Sequence, residues 1–335
     1  MTKYIPINQS YTEVKVSEHV SRWEQSQPKK YWEYRKKWEE YPKKQIVANF
    51  PLHLDIECTR KCNLRCPMCP RTIKIASGEK LVEGDMDFEL FKKIVDEGSN
   101  NGLYAIKFSY LGEPLICRDL PKMITYAKKK GIIDTMFNTN GSLLSEETSK
   151  ELIEAGLDKI FISFDSPNPE HYNKIRIGTN FDWVFENVKR LAALRKKMHS
   201  ITPIIRVSMT VMQENKEEVL DYIKLWSPIV DLIGFGDYVN PAHKDKKAEE
   251  RTITKIKEHK NFVCSQLYQR LFIHWDGKIG LCCADYDASL NLGNARDVNI
   301  RDVWLGEKIK RIRDLHNQGK WEKVPLCKKC DLPRI

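Results

Sequence analysis

The chain has 335 residues, of which 41% are hydrophobic, with a formal net charge of +10 and ten cysteines. It is long enough to bury a sizeable core as one large domain or two, and its apolar content is ordinary for a globular protein. No apolar run reaches the roughly 18 residues of a membrane span, and the N-terminal M-T-K-Y-I-P-I-N lacks a basic-then-apolar export signal.

A cytoplasmic protein without a membrane partner is therefore expected. Clustered cysteines in a reducing compartment read as metal ligands rather than disulfides. The lysines at 128–130, 196–197 and 246–247 fall on polar helix faces or in loops. Scattered lysine of this kind is a solvated surface, so nucleic acid is not the expected partner; an anionic substrate such as a nucleotide-linked sugar is a comparable reading.

Residues 1–48 carry no metal-ligand pattern. Val20, Trp23, Tyr31, Trp32, Tyr34, Trp38 and Tyr41 stand among many Lys and Glu, with breaks at Pro28 and Pro42. This reads as an N-terminal helical extension packed across the outside or bottom of the main domain, or as an arm that binds a partner or substrate.

From 52 to 237 an apolar strand, a loop and a helix recur six times. The expected strands are 52–56, 104–109, 133–138, 159–164, 204–211 and 232–236, with helices near 87–98, 119–130, 145–155, 181–198 and 215–226. Alternating βα units build a parallel sheet covered by helices. Six are too few to close an eight-stranded barrel, so the fold expected over 49–237 is α/β, a partial (β/α)6 TIM-like barrel. In such barrels the active site sits at the C-terminal ends of the strands.

The first strand runs into E-C-T-R-K-C-N-L-R-C-P-M-C-P, which places Cys62, Cys66 and Cys69 in a C-x3-C-x2-C loop. Structural zinc closes a tetrahedron of four ligands, whereas an iron–sulfur cube held by three cysteines keeps one iron open. Cys58 lies four residues upstream, so spacing alone leaves a four-thiol site open as well. The second strand runs into Y-L-G-E-P, containing Gly112 and Glu113. The third ends in N-T-N-G, where the residues around Asn140 let backbone approach a ligand or simply make a turn. The fourth ends in S-F-D-S from Ser163, followed by Arg176 in K-I-R-I-G. Asp165 reads as a substrate contact or a helix cap.

Residues 238–263 read as a linker in which His243 and His259 are surface residues. Beyond it, Asp276-Gly277 between two apolar runs signals a hairpin that delivers Cys282 and Cys283. A helix is expected from about 300 to 318, and Cys327-x2-Cys330 follows near the end of the sequence. With Cys264 these supply four thiolates for a closed site, and spacing allows either zinc or a 4Fe–4S cluster. Cys58 and Cys117 read as buried small hydrophobes. Cys283 follows a ligand on a strand and so points to the opposite face, where it can serve as a hydrogen-atom donor or exchange roles with Cys282.

Together these motifs resemble the radical S-adenosylmethionine (radical SAM) enzymes, over residues 52–332. C-x3-C-x-φ-C after a first strand is that family's signature, and Met68 occupies the usually aromatic φ position that touches adenine. The resemblance implies a 4Fe–4S cluster on Cys62, Cys66 and Cys69 whose open iron chelates SAM. L-G-E-P resembles the family's G-G-E-P, with Gly112 and Glu113 meeting the SAM ammonium and Leu111 replacing a glycine. Asn140 is a further expected cofactor contact, and Ser163 and Arg176 match a serine and an arginine that hold the ribose or carboxylate. C-x12-G-x4-C from Cys264, with L-G-N at 292–294 and I-R-D-V-W at 300–304, resembles the SPASM/Twitch extension. It implies one auxiliary 4Fe–4S cluster on Cys264, Cys282, Cys327 and Cys330 in a small domain over 264–335.

The resemblance further implies reductive cleavage of SAM, with electrons from a flavodoxin- or ferredoxin-like donor, and hydrogen abstraction from the substrate. As in the aminoglycoside and aminocyclitol dehydrogenases and epimerases, a sugar, aminocyclitol or nucleotide-sugar is expected to be dehydrogenated or epimerised. A peptide- or protein-modifying maturase is the alternative within enzymes. A zinc-stapled nucleic-acid-binding or scaffold protein is the alternative outside them.

Overall fold

A computed structural model describes residues 3–7, 11–240, 245, 247–253 and 259–334. Its strands are β1 Tyr11–Lys15, β2 His53–Ile56, β3 Ala105–Lys107, β4 Asp134–Thr139, β5 Lys159–Ser163, β6 Ile204–Val211, β7 Leu232–Asp237, β8 Arg270–Ile273 and β9 Ile279–Gly280. They form one sheet in the order β1-β7-β6-β5-β4-β3-β2-β8-β9. β2 to β7 pair in parallel with their sequence neighbours, as the six βα units require.

Both edges extend past those six strands. β1 adds antiparallel to β7, so the N-terminal extension contributes a strand as well as helices. β8 adds parallel to β2, with His53 opposite Arg270, and β9 turns back antiparallel as the second arm of the hairpin. The C-terminal segment is thus hydrogen-bonded to the strand that precedes the cysteine loop.

Alternate strand residues separate two environments. Leu54, Ile56, Ile106, Phe108, Ile160 and Val207 pack outward into a core that continues through Ile279, Trp304 and Ile309 of the C-terminal part. The opposite face turns into the barrel. In β6, buried Ile205, Val207 and Met209 alternate with half-buried Arg206, Ser208 and Thr210, so water reaches this interior.

Helix Lys29–Lys44 closes the lower end. Tyr34 and Trp38 pack on Leu52, Tyr104, Met136 and Phe161, so the aromatic run forms the floor of the barrel. Helices Phe88–Asn101, Glu146–Glu154 and Phe181–Lys197 start at caps where Asp87, Ser145 and Asn180 accept from Leu90, Thr148 and Trp183 backbone N–H groups. The single helix expected near 300–318 is two, Ile300–Leu305 and Glu307–Asn317, broken at Gly306. A Cβ at Gly306 would lie 2.7 Å from the Asp302 carbonyl oxygen.

His259 is half-buried rather than exposed, with its ring stacked on Tyr4 at 3.7 Å between centroids; His243 lies outside the described residues. Among the described residues no helix is long and apolar enough to cross a membrane.

Candidate active site

A cavity of about 410 Å³ opens at the C-terminal ends of the parallel strands. Cys62, Cys66, Met68 and Cys69 line it from the loop after β2, Gly112 and Glu113 from the loop after β3, and Asn140 from the end of β4. Ser163 and Arg176 complete the expected cofactor set around the same space. Residues spread over more than 110 positions of sequence meet there because each follows the end of a neighbouring strand.

Close backbone contact fixes the first two loops together. Glu113 N–H donates to the Lys61 carbonyl at 2.8 Å. A Cβ at Gly112 would fall 2.1 Å from the Thr59 carbonyl oxygen, so only glycine admits this approach. The Glu113 carboxylate accepts from Thr139 Oγ1 at 2.6 Å, Asn140 N at 2.8 Å and Leu115 N at 3.2 Å. Burial pushes its pKa up, and these three donors and the Arg176 charge oppose that shift.

Asn140 serves the loops as well as the cavity. Its Nδ2 donates to Asn63 Oδ1 at 3.0 Å, and its Oδ1 accepts from Ser142 N and Oγ at 2.9 and 2.6 Å. The cysteine loop is thereby tied to the end of β4. Asp165 is neither a helix cap nor a cavity-lining group. It is buried, pairs with Arg176 at 2.5 Å and accepts from Thr210 N at 2.8 Å, so it sets the position of the arginine. Arg176 Nη1 in turn lies 3.8 Å from Cys66 Sγ.

Sequence reasoning missed the residue that closes the cavity from the C-terminal side, Tyr286. Its ring lies 5.7 Å from that of Tyr110, whose hydroxyl donates to the Cys282 carbonyl at 3.4 Å. Burial, and then the thiols of Cys283, Cys69, Cys282 and Cys330, hold the Tyr286 phenol protonated. That phenol therefore stands between the two cysteine groups. Nothing in C-C-A-D-Y marks this tyrosine, because its role depends on the hairpin docking beside β2.

Cys283, expected either to face the cavity as a hydrogen-atom donor or to exchange roles with Cys282, is not among the cavity-lining residues but lies close to Tyr286, which is. Gln266 holds the residue from both sides, donating from Nε2 to Sγ at 3.2 Å and accepting from Cys283 N at 3.2 Å. Cys264, Cys282, Cys327 and Cys330 gather beyond it, where burial pushes Cys264 up to about 11 and the other three thiols up as well. His316, also missed, joins two of them: Nδ1 accepts from Cys264 N at 3.3 Å, which leaves the proton on Nε2 to face Cys327 Sγ at 3.3 Å. Cys58 and Cys117 are buried as expected, with Cys58 Sγ 4.0 Å from the Phe108 carbonyl.

A second network couples the cysteine loop to the hairpin. Arg60 donates to the Glu57 carboxylate at 2.8 to 3.1 Å and reaches His274 Nδ1 at 2.5 Å, while Trp275 N donates to Glu57 at 3.3 Å.

The donors fit an iron–sulfur cluster at each group. Among the described residues no three His, Cys, Asp or Glu side chains converge on a single-ion point; Cys62, Cys66 and Cys69 stand instead around a cavity. Burial raises Cys62 to about 11 and raises Cys66 despite Arg176. The positive charge of bound iron would hold such thiols as thiolates.

The sequence profile of the radical SAM superfamily matches residues 56–226. The chain belongs to that superfamily. A second profile, the SPASM iron–sulfur cluster-binding domain, matches residues 264–331, so this radical SAM chain has SAM and a cluster at its barrel and an auxiliary cluster beyond it.

Among similar proteins is a tungsten-containing aldehyde ferredoxin oxidoreductase cofactor-modifying protein of Pyrococcus furiosus, 26% identical over 84% of this chain and 87% of its own length. A probable GTP 3′,8-cyclase of Methanococcus maripaludis is 30% identical over 65% of this chain and 69% of its own. The fold resembles BtrN in complex with AdoMet and 2-DOIA (TM-score 0.57, 19% identity, covering 85% of this chain and 94% of BtrN). It also resembles Streptococcus suis SuiB bound to S-adenosylmethionine (TM-score 0.62, 15% identity, covering 84% and 72%).

Proposed function

We propose that this radical SAM enzyme takes a hydrogen atom from the sugar part of a small molecule, with a nucleotide-sugar as first choice, and oxidises or epimerises it. The observation that carries the reading is the cavity at the strand ends, ringed by Cys62, Cys66, Cys69, Met68, Gly112, Glu113, Asn140, Ser163 and Arg176 and closed by Tyr286. When bound there, the cluster and SAM would supply a 5′-deoxyadenosyl radical to a substrate held in the barrel.

In this reading Cys62, Cys66 and Cys69 hold the SAM cluster, and Cys264, Cys282, Cys327 and Cys330 the auxiliary one. The barrel occupies 49–237, a linker 238–263 and the auxiliary domain 264–335. Glu113, held by its three donors, faces the SAM ammonium. Arg176, set by Asp165, meets the ribose or carboxylate, Ser163 meets the ribose, and Met68 packs on the adenine. Asn140 keeps the cysteine loop and the end of β4 at a fixed spacing. Tyr286 and the barrel floor bound the space in which the reacting carbon would be held.

Oxidation is favoured over epimerisation. Epimerisation needs a free hydrogen-atom donor at the cavity, and the Cys283 thiol, though close to Tyr286, is engaged by the Gln266 amide. Oxidation needs a nearby electron acceptor, and the auxiliary thiols lie just past Tyr286. The relatives support a nucleotide: a GTP 3′,8-cyclase acts, by its name, on GTP. A second reading, modification of a cofactor, is favoured by the Pyrococcus relative, which aligns over most of both chains.

The test is deuterium transfer. Reconstituted enzyme, SAM and dithionite are incubated anaerobically with nucleotide-sugars, sugar phosphates, aminocyclitols and peptides, each deuterated at candidate carbons. Deuterium in 5′-deoxyadenosine from a sugar ring is expected; transfer from peptides alone would overturn the reading.

A further inference from the structure

We infer that Lys107, with Arg270 beside it, forms an oxyanion subsite inside the barrel that receives a phosphate or carboxylate group of the substrate. The inference rests on the proposed function and narrows its substrate class.

Lys107 lies on β3 two residues before Ser109, which lines the cavity, so both side chains project from the same, inward face. It is directly opposite Asp55 on β2 and Met136 on β4, one layer below the proposed SAM position. Lys107 is half-buried in the middle of the sheet, and burial is the main influence on its ammonium. Among the described residues that ammonium makes no hydrogen bond or ion pair, unlike Lys128 and Lys159, which pair with Asp158 and Asp134 at 2.6 Å.

The surrounding charges do not cancel it. Arg206 is spent on Glu13 at 3.0 Å and Ser208 at 3.1 Å. Arg270 reaches Asp55 only at 3.4 Å, and its buried Nε has no partner. Glu57, the next acid on the inward face, is committed to Arg60. His53 is buried and neutral. Asp55 is the one carboxylate serving both Lys107 and Arg270, with the Cys283 thiol also near both, so between carboxylates and cationic side chains the interior carries one positive charge in excess.

An ammonium kept partly desolvated and unpaired is costly unless something completes it. The group that completes it is an anion with several acceptor oxygens, able to reach Lys107 and the free Arg270 Nε together. A substrate presenting an amine there would set ammonium against ammonium. The subsite therefore selects a phosphorylated sugar, a nucleotide-sugar or a sugar acid over a free aminocyclitol.

The experiment uses anaerobically reconstituted enzyme with SAM bound and titrates inorganic pyrophosphate or malonate by calorimetry, in wild type, Lys107→Met and Lys107→Arg. Wild type is expected to bind at least one probe, and the tighter one identifies the oxyanion as phosphate or carboxylate. Lys107→Met is expected to weaken that binding by about tenfold or more, and Lys107→Arg to retain it within a few-fold. SAM affinity and melting temperature, measured on the same samples, report intact folding and are expected to match wild type. Equal binding by Lys107→Met, or no binding of either probe to wild type that binds SAM normally, would overturn the subsite. Failure of wild type to bind or cleave SAM would instead overturn the proposed function.

Discussion

The ring of His316 stands between Cys264 and Cys327, accepting from the backbone N–H of one and facing the sulfur of the other, each at 3.3 Å. The backbone donor fixes the tautomer, so the Nε2 proton points at the sulfur. A hydrogen bond to a cluster-bound thiolate favours the more negative, reduced state and raises the potential. His316→Phe is therefore expected to lower the auxiliary cluster's midpoint potential in an EPR-monitored redox titration while leaving the SAM cluster's in place. It is also expected to cost about 1–3 kcal/mol in denaturant unfolding, because Cys264 N–H loses its acceptor in a buried site.

Glu113 holds two strand ends and the proposed ammonium site at once. Glu113→Ala would leave Thr139 Oγ1, Asn140 N and Leu115 N without their acceptor. SAM affinity measured by equilibrium dialysis is expected to fall by about tenfold or more. Glu113→Gln, which keeps the shape but removes the charge, should retain more stability than the alanine variant and still bind SAM poorly.

The Arg60–Glu57 pair is buried and joins the cysteine loop to the C-terminal hairpin. Arg60→Met would strand the Glu57 carboxylate and is expected to destabilise by about 3–5 kcal/mol in denaturant unfolding. Combining it with Glu57→Leu is expected to recover a large part of that loss, since the uncompensated charge disappears.

Acid sensitivity is expected from the barrel floor. Burial, and then the charges of Arg270, Lys107 and Lys159, hold the pKa of His53 well below its usual 6.5. Below pH 6.5 the unfolded chain binds a proton that the folded one refuses. The His53 contribution to stability is thus complete above that pH and is lost as pH falls. His53→Phe should flatten this dependence in urea midpoints taken between about pH 7 and 5.

Much of this was legible in sequence because period and spacing are local. The β6 segment I-I-R-V-S-M-T-V alternates small polar or charged residues with apolar ones, the pattern of a strand with one solvated face. The three thiols after β2 and the residues after β3, β4 and β5 were picked out by their positions at strand ends together with the family resemblance, and they line one cavity. What stayed hidden depends on docking. Y-T-E-V-K became an edge strand only because β7 offered an open side. Tyr286 and His316 acquire partners through the placement of the hairpin and of helix Glu307–Asn317, which no local pattern encodes. Cys283 was read from strand alternation as a cavity-facing donor or an exchange partner for Cys282, and the Gln266 amide that engages it comes from tertiary packing.

The central claim is that the loop after β2 holds the SAM cluster while the C-terminal thiols hold a separate one. Anaerobic reconstitution, iron counting and dithionite-driven SAM cleavage, in wild type and in a Cys62→Ala, Cys66→Ala, Cys69→Ala variant, test it most directly. The account predicts about eight irons per wild-type chain and about four in the variant, with loss of 5′-deoxyadenosine. Bound zinc with no SAM cleavage in wild type, or full iron and cleavage in the variant, would contradict it.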